Sequence, residues 1–115
     1  DVAGRDAILK EGSYNNDATP PWVLTVRDGK FWITNPKGKV TLTRGREGAI
    51  PQEYEADGTW LELDAKGTLI LWERQVNSIN SHVWTKKERW RLPSPNDGIK
   101  AVLFQDDGNL KYVTR

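Results

Sequence analysis

The sequence predicts an all-β domain built from three related β-hairpins, and two observations predict it. Glycines recur at Gly29, Gly67 and Gly108, which lie 38 and 41 residues apart, a period typical of one supersecondary unit per repeat. Around each glycine, apolar and polar residues alternate with a period of two, as in a strand with one buried face. No segment carries convincing helix caps or reads as a linker, so we expect one domain over residues 1–115.

Each repeat places a row of mostly apolar residues on one side of its hairpin, and this side is the predicted core face. These residues are Val23, Thr25, Phe31 and Ile33 in the first repeat, Leu61, Leu63, Leu69 and Leu71 in the second, and Val102, Phe104, Leu110 and Tyr112 in the third. The opposite face differs in every copy: Val26, Asp28 and Lys30, then Asp64, Lys66 and Thr68, then Gln105, Asp107 and Asn109.

The segments between the hairpins are assigned from turn signals and from alternation. Residues 12–21, rich in Asn, Asp and Pro, predict a loop. Residues 39–43 alternate as a strand after the first hairpin. The long stretch 73–92 predicts an extended hairpin or a strand pair, and residues 93–98 predict a loop before the third repeat.

The polar face of the third repeat carries the most specific chemical pattern. Gln105, Asp107 and Asn109 stand at alternate positions, and in an extended backbone they would leave on the same side. A carboxylate offers only acceptors, whereas the two amides offer donors and acceptors. Such a trio suits neighbouring hydroxyl groups, each of which gives and takes a hydrogen bond. The pattern therefore indicates a sugar-binding surface.

The same stretch resembles a known family. Gln105–Leu110 is similar to the first part of the Gln-x-Asp-x-Asn-x-Val-x-Tyr signature of bulb-type, mannose-binding monocot lectins, whereas Lys111 and Val113 depart from it. The resemblance implies a type II β-prism with three pseudo-symmetric antiparallel subdomains. Its repeats cover about residues 22–43, 60–85 and 101–115. Residues 6–9 resemble the short opening strand of the same family, so we expect a strand there. The alternation by itself also permits a β-trefoil.

The resemblance implies a role for each position of the third-repeat site. Asp107 and Asn109 match the residues that bind the axial 2-hydroxyl of mannose, and Gln105 matches the residue that binds the 3-hydroxyl. Lys111 replaces a valine that packs on the ring carbons, and Val113 replaces a tyrosine that binds the 4-hydroxyl. Lys111 can compensate by donating to a hydroxyl or to an acidic sugar. We therefore expect weak binding at this site.

The other two repeats keep only parts of such a site, and we treat them as degenerate sites. The residues in question are Asp28, Lys30 and Trp32 in the first repeat and Ile70 and Trp72 in the second. Lys66 stands where the carboxylate belongs in the second repeat, and a cation cannot accept hydroxyl protons. Trp32 is either a platform for a sugar ring or a contact in an oligomer, and large exposed aromatics favour the contact.

The composition excludes several classes of function. A net charge of +1 argues against a nucleic-acid footprint, and the basic and aromatic residues 86–91 read as a solvated strand. One His and no Cys predict neither a metal site nor a cofactor. No apolar run approaches the roughly 20 residues that span a bilayer. No positioned acid–base pair is visible, so we expect no enzyme.

Two hypotheses of function remain. The first is a lectin domain that binds mannose or mannose-containing glycans weakly and gains avidity as a homodimer. The third repeat lacks its last strand, which indicates strand exchange between two chains. The second is a lectin-like scaffold with eroded sugar sites that acts by protein–protein recognition or in antimicrobial defence. We expect a secreted protein, with a leader removed before Asp1, although the absence of Cys also suits the cytoplasm.

Overall fold

The computed structural model describes residues 3–4, 8–93 and 99–114. These residues form eleven β-strands and no helix, which confirms the predicted all-β class. The strands are β1 (Ala3–Gly4), β2 (Ile8–Leu9), β3 (Gly12–Asn15), β4 (Val23–Arg27), β5 (Lys30–Thr34), β6 (Val40–Gly45), β7 (Tyr54–Leu63), β8 (Leu69–Asn77), β9 (Trp84–Leu92), β10 (Ile99–Phe104) and β11 (Leu110–Thr114). This part of the chain contains no helix long and apolar enough to cross a membrane.

The strands form three antiparallel sheets, and the hairpin of each predicted repeat belongs to a different sheet. Sheet I has the order β3-β4-β5-β6, sheet II has the order β2-β7-β8-β9, and sheet III has the order β1-β10-β11. In each sheet, one strand from the first fifteen residues pairs with the first strand of the repeat hairpin. In sheets I and II, the strand that follows the hairpin pairs with its second strand.

Sheet III differs from the other two by one strand. Its last strand, β11, pairs with β10, and no described residue pairs with its other edge. The corresponding edges of β5 and β8 are covered by β6 and β9. The edge of β11 therefore presents backbone donors and acceptors that a further strand would satisfy.

The core lies where the three sheets face one another, and two of the three predicted core faces are confirmed. The four leucines predicted for the second repeat are fully buried. In the third repeat Val102 and Phe104 are buried, while Leu110 and Tyr112 are half-buried and pack against the core. Sheets I and II also meet through an edge-to-face pair, with the ring centroids of Phe31 and Trp90 4.9 Å apart.

The predicted core face of the first repeat is wrong on its first strand. Leu24 and Val26 are fully buried on the core side of β4, whereas Val23 and Thr25 lie on the opposite side. Thr25 shares a hydrogen bond of 3.1 Å with the hydroxyl of Ser13 there. Phe31 and Ile33 on β5 are buried as predicted.

The error has a simple cause, which is the length of the connection between the two strands. In the first repeat Arg27 pairs with Lys30, so only Asp28 and Gly29 form the turn, both with positive φ (55° and 72°). These angles and the two-residue length are those of a type I′ hairpin turn. In the second and third repeats a five-residue loop separates the paired residues. The two connections thus differ by three residues. Because successive residues of a strand point to opposite faces, an odd difference brings the other set of β4 residues to the core.

The other segment predictions are mostly confirmed. The predicted strand 39–43 is β6, and the predicted strand pair in residues 73–92 is formed by β8 and β9. The predicted loop 12–21 is wrong at its beginning, since Gly12–Asn15 is strand β3 and pairs with β4. Residues 6 and 7 of the predicted opening strand, and residues 94–98 of the last predicted loop, lie outside the described residues.

Tyr112 connects sheet III to sheet II through its hydroxyl group. The phenol donates a short hydrogen bond to the carbonyl of Leu92 at the end of β9 and accepts one of 2.8 Å from the backbone N–H of Leu69 at the start of β8. Burial raises the pKa of the phenol, while the hydrogen bond from Leu69 acts in the opposite direction. The phenol is therefore neutral near pH 7 and can both donate and accept.

We predict that Tyr112→Phe lowers the free energy of unfolding at pH 7 by about 2 kcal/mol, because two hydrogen bonds are lost at roughly 1 kcal/mol each. The raised pKa means that this contribution is fully present below the unfolded pKa of about 10 and is lost as the pH rises through the folded pKa. Urea unfolding of both proteins between pH 7 and pH 12 measures the difference, which should be constant up to about pH 10 and then shrink. A difference that grows above pH 10 would contradict this role.

Candidate functional site

The predicted site residues of the third repeat lie mainly in a five-residue loop, 105–109, that joins β10 to β11. The backbone N–H of Gln105 donates to the carbonyl of Asn109, and the N–H of Gly108 donates to the carbonyl of Gln105, both at 2.9 Å. Gln105, Asp107 and Asn109 are therefore not on an extended strand. The alternation argument for a shared face does not apply to them, because it requires an extended backbone.

The same loop occurs twice more in the chain. Residues 64–68 form it between β7 and β8, and residues 35–39 form it between β5 and β6, with the same two backbone hydrogen bonds in each. The glycine at its fourth position has a φ of 84° to 86° in all three copies. The first repeat has thus lost this loop from its central hairpin and carries it on the next connection.

The side chain at the first loop position behaves differently in the third copy from those in the other two. Asn35 and Asp64 each use one side-chain oxygen to accept two backbone N–H groups of their own loop, at 2.9 Å. Gln105 stands at this position in the third loop, and its side chain makes no hydrogen bond to another described residue. There the carboxylate of Asp107 accepts the N–H of Asn109 at 3.1 Å. Within its own loop, the side chain of Gln105 therefore does not take the role that Asn35 and Asp64 have in theirs.

A shallow cavity of about 450 Å³ lies beside this loop. Gln105 and Asp107 line it, together with Asp17, Asp106 and the β10 residues Leu103 and Phe104. The structure thus brings two of the predicted residues together at one surface. Asn109, Lys111 and Val113 do not line this cavity. Lys111 is exposed opposite Leu103, and Val113 is half-buried opposite Ala101.

The loop 105–109 is held in place by residues 16–22, a contact that the sequence did not predict. The side-chain amide of Asn16 donates to the carbonyl of Gln105 at 2.7 Å, while its oxygen accepts the N–H groups of Ala18 and Trp22. The ring of Trp22 covers Gly108 so closely that a Cβ on this glycine would lie inside the ring's van der Waals envelope. Asn16 and Asp17 belong to the site, and no local pattern links them to residues 89 positions away.

The candidate residues of the first repeat also come together. Asp28, Lys30 and Trp32 line a cavity of about 540 Å³ with Val40, Thr43 and Arg46. Trp32 is half-buried on β5, where it pairs with Thr25 on one side and Thr43 on the other. The indole therefore stands in a row of hydroxyl-bearing residues on the outer face of sheet I.

The candidate residues of the second repeat are less accessible. Ile70 is buried, with an exposed fraction of 5%. The ring of Trp72 is covered by the ammonium group of Lys86, which lies 4.1 Å from the ring centroid, a cation–π contact. Trp72 also pairs across the strands with Trp60. Neither Ile70 nor Trp72 lines the cavities described here.

A cluster of three charged side chains lies beneath the turn of the first repeat. The carboxylate of Glu73 on β8 is fully buried. It accepts from Arg46 at 3.1 Å and from Arg89 at 2.9 Å, and Arg46 also donates to the carbonyl of Asp28 at 2.8 Å. A buried carboxylate requires such partners, since an unpaired charge away from water is costly. This cluster fixes both arginines at the surface of sheets I and II.

The chain matches no protein-family model, no curated protein and no solved structure. The part of the chain that the structure describes holds no group of three or more His, Asp or Glu side chains arranged to bind a metal ion. The candidate sites are therefore defined by their own geometry: a carboxylate-rich cavity at the third loop and an aromatic and basic surface on sheet I.

We predict that Gly108→Ala destabilises the protein far more than Gly38→Ala does. Both glycines occupy the fourth position of the same loop with φ near 85°, so alanine should cost about 1–2 kcal/mol of backbone strain at either site. Only at Gly108 would the new methyl group meet the Trp22 ring, whereas nothing lies within 4 Å of it at Gly38. We expect the contact at Gly108 to add about 1–3 kcal/mol. Urea unfolding curves give the two values, and equal losses would show that Trp22 does not hold the loop.

Proposed function

We propose that this protein is a carbohydrate-binding domain that binds mannose or mannose-containing glycans through the loop 105–109. The observation that carries the proposal is the difference between three loops of one backbone shape. In two of them the first side chain accepts backbone hydrogen bonds of its own loop, and in the third Gln105 lines a cavity together with Asp107. The resemblance to bulb-type lectins assigns sugar contacts to the same two residues.

The chemistry of this site suits neighbouring hydroxyl groups. Gln105 can donate and accept, and the second oxygen of Asp107 can accept from a hydroxyl while the first holds the loop. Asn109 is exposed at the end of the loop and can reach a ligand from outside the cavity. Lys111 and Val113 replace the apolar and phenolic contacts of the family. We therefore expect a dissociation constant near 1 mM, or roughly −4 kcal/mol.

The arrangement of three related sheets supports a β-prism as the architecture. Each sheet is antiparallel and none closes on itself, and in each an N-terminal strand pairs with the first strand of the repeat hairpin. The apolar faces of all three sheets contribute to one core cluster. These features support the proposed arrangement of three pseudo-symmetric subdomains around a common axis, which is the arrangement that the family resemblance implies.

A second candidate function is recognition of another protein, and one specific observation favours it. The connection between β8 and β9 exposes apolar side chains at its tip, with Ile79 97% exposed, Val83 45% and Trp84 54%. Exposed apolar groups of this size mark contact surfaces. In this alternative the loop 105–109 no longer binds a sugar. The exposed connection between β8 and β9 carries the activity, including a role in defence.

Titration with methyl α-mannoside tests the sugar hypothesis. We expect saturable binding by the unsubstituted protein below about 50 mM, and a loss of about five-fold or more in Gln105→Ala, which removes one hydrogen bond of about 1 kcal/mol. Asp107→Asn keeps an oxygen for the N–H of Asn109 but exchanges an acceptor for a donor, so it should also weaken binding. Lys66 occupies the position in the second loop that Asp107 occupies in the third. Lys66→Ala is therefore the control and should bind the mannoside normally.

Two outcomes would contradict the proposal: no binding of the mannoside by the unsubstituted protein, or equal binding by the Gln105→Ala variant. If the biological activity survives in Gln105→Ala and Asp107→Asn but is lost in Trp84→Ala, the hairpin tip carries the function. Trp84 is exposed and its ring contacts the guanidinium of Arg74 at 4.8 Å, so its replacement should leave the core intact.

A homodimer would complete sheet III and raise the avidity of weak sites. We predict that β11 pairs with its copy along its open edge, so the mass measured by light scattering at about 100 μM should be that of two chains. Val113→Glu should shift the mass to one chain, because like charges would meet across the new strand pair. Thr41→Glu places the same charge on β6, at the edge of sheet I, and should remain dimeric. A single-chain mass for the unsubstituted protein would refute this pairing.

A further inference from the structure

Two neighbouring cavities meet at strand β6, one beside the junction of sheets I and II and one on the outer face of sheet I, and we call them together the basic groove. The first has a volume of about 590 Å³ and the second is the cavity of about 540 Å³ that contains Trp32. The two cavities share Lys30, Thr43 and Arg46. Because the same three side chains line both, a chain-like ligand could occupy them together.

The floor of the basic groove holds two cations that are fixed in place. Arg46 and Arg89 both bind the buried carboxylate of Glu73, and both retain partly exposed side chains, at 19% and 21%. Two guanidinium groups share one carboxylate, so one positive charge is left over at this point. A fixed guanidinium loses little side-chain entropy when it binds a ligand, and its remaining N–H groups suit planar oxyanions.

The wall of the groove adds two further cations. Lys30 and Arg44 are exposed, and neither forms an ion pair with another described residue. Arg44 donates only to the adjacent backbone carbonyl of Thr43. Their charges are therefore free to attract an anion in the groove.

The carboxylates of the groove do not cancel these charges. Glu88 is bound by Arg91 through two hydrogen bonds, of 2.9 Å and 2.5 Å, and this interaction lowers the pKa of Glu88. Its charge is thus already compensated from outside the groove. The other carboxylates are Glu47 and Asp28 in the lining and the buried Glu73, so three negative charges face the four basic side chains and one positive charge is in excess.

The second half of the groove offers an aromatic face beside hydroxyl groups. Trp32 lies across from Thr43 on β6, and both residues line the second cavity. An indole face packs well on the C–H face of a pyranose ring, and neighbouring hydroxyls and amines supply directional hydrogen bonds. Cations at one end and an indole at the other match a ligand that carries both anionic groups and sugar rings.

We propose that the basic groove binds an acidic oligosaccharide, with its carboxylate or sulfate groups at Lys30, Arg44, Arg46 and Arg89 and a sugar ring on Trp32. This site is distinct from the loop 105–109 and does not depend on mannose binding there. A nucleic acid fits less well, since the whole chain has a net charge of only +1. A flat membrane surface fits less well too, because the fixed arginines lie at the floor of a concave groove.

Isothermal titration with three tetrasaccharides tests the proposal: a sulfated heparin tetrasaccharide, tetragalacturonate as the carboxylate ligand, and neutral cellotetraose. At about 20 mM NaCl we expect the unsubstituted protein to bind at least one acidic ligand, and to bind cellotetraose at least about ten-fold more weakly. The preferred acidic ligand distinguishes sulfate from carboxylate recognition. The double variant K30A/R44A should lose about ten-fold or more in affinity, since two charge-assisted contacts are removed.

The matched control is K37A/K66A, which removes the same net charge from two exposed loop positions outside the groove. It should bind the acidic ligand within about two-fold of the unsubstituted protein, as should Gln105→Ala. Equal weakening in K30A/R44A and K37A/K66A would overturn the proposal, because the attraction would then be a property of net charge. Equal affinity for cellotetraose, or tighter binding of a single-stranded oligonucleotide or of anionic phospholipid vesicles, would overturn it as well. Equal melting temperatures of the variants verify that all are folded.

Discussion

The buried carboxylate of Glu73 is the group on which the placement of sheets I and II depends. It lies on β8 of sheet II, and it draws in Arg46 from the segment after β6 and Arg89 from β9. Such clusters add little net stability over an apolar core, yet losing one partner typically costs about 3–5 kcal/mol. The cluster therefore fixes where the two sheets meet. The turn of the first repeat is held to it through the carbonyl of Asp28.

The turn above this cluster belongs to the hairpin in which the sequence predicted the wrong face of one strand, β4, toward the core. Gly29 lies directly over Glu73, and a Cβ there would be 2.5 Å from its Oε2 atom. The chain makes a two-residue turn at this point, whereas the same Asp-Gly pair at Asp107-Gly108 belongs to a five-residue loop under Trp22. The dipeptide Asp-Gly thus occurs in connections of two different lengths. It predicts where the chain turns but not how many residues the turn contains. The length decides which residues of β4 face the core.

The candidate site was predictable only where its residues are close in sequence. Gln105 and Asp107 stand two positions apart, so the motif predicted that they share a surface. The prediction assumed an extended strand, whereas the two residues lie in a loop. The support from Asn16 and the lining by Asp17 come from the other end of the chain. The basic groove likewise combines residues of three separate segments. Neither periodicity nor composition encodes such contacts, since they arise from the packing of sheets.

The open edge of β11 has a consequence for how the protein behaves in concentrated solution. An unpaired strand is a template for any extended chain, and repeated head-to-tail addition on such a template builds fibrils. A two-fold axis alongside β11 would pair the two β11 edges with each other, so that neither remains as a template for a third chain. How β11 pairs thus decides the kind of assembly: two-fold pairing gives a closed dimer, and head-to-tail pairing gives a growing fibril.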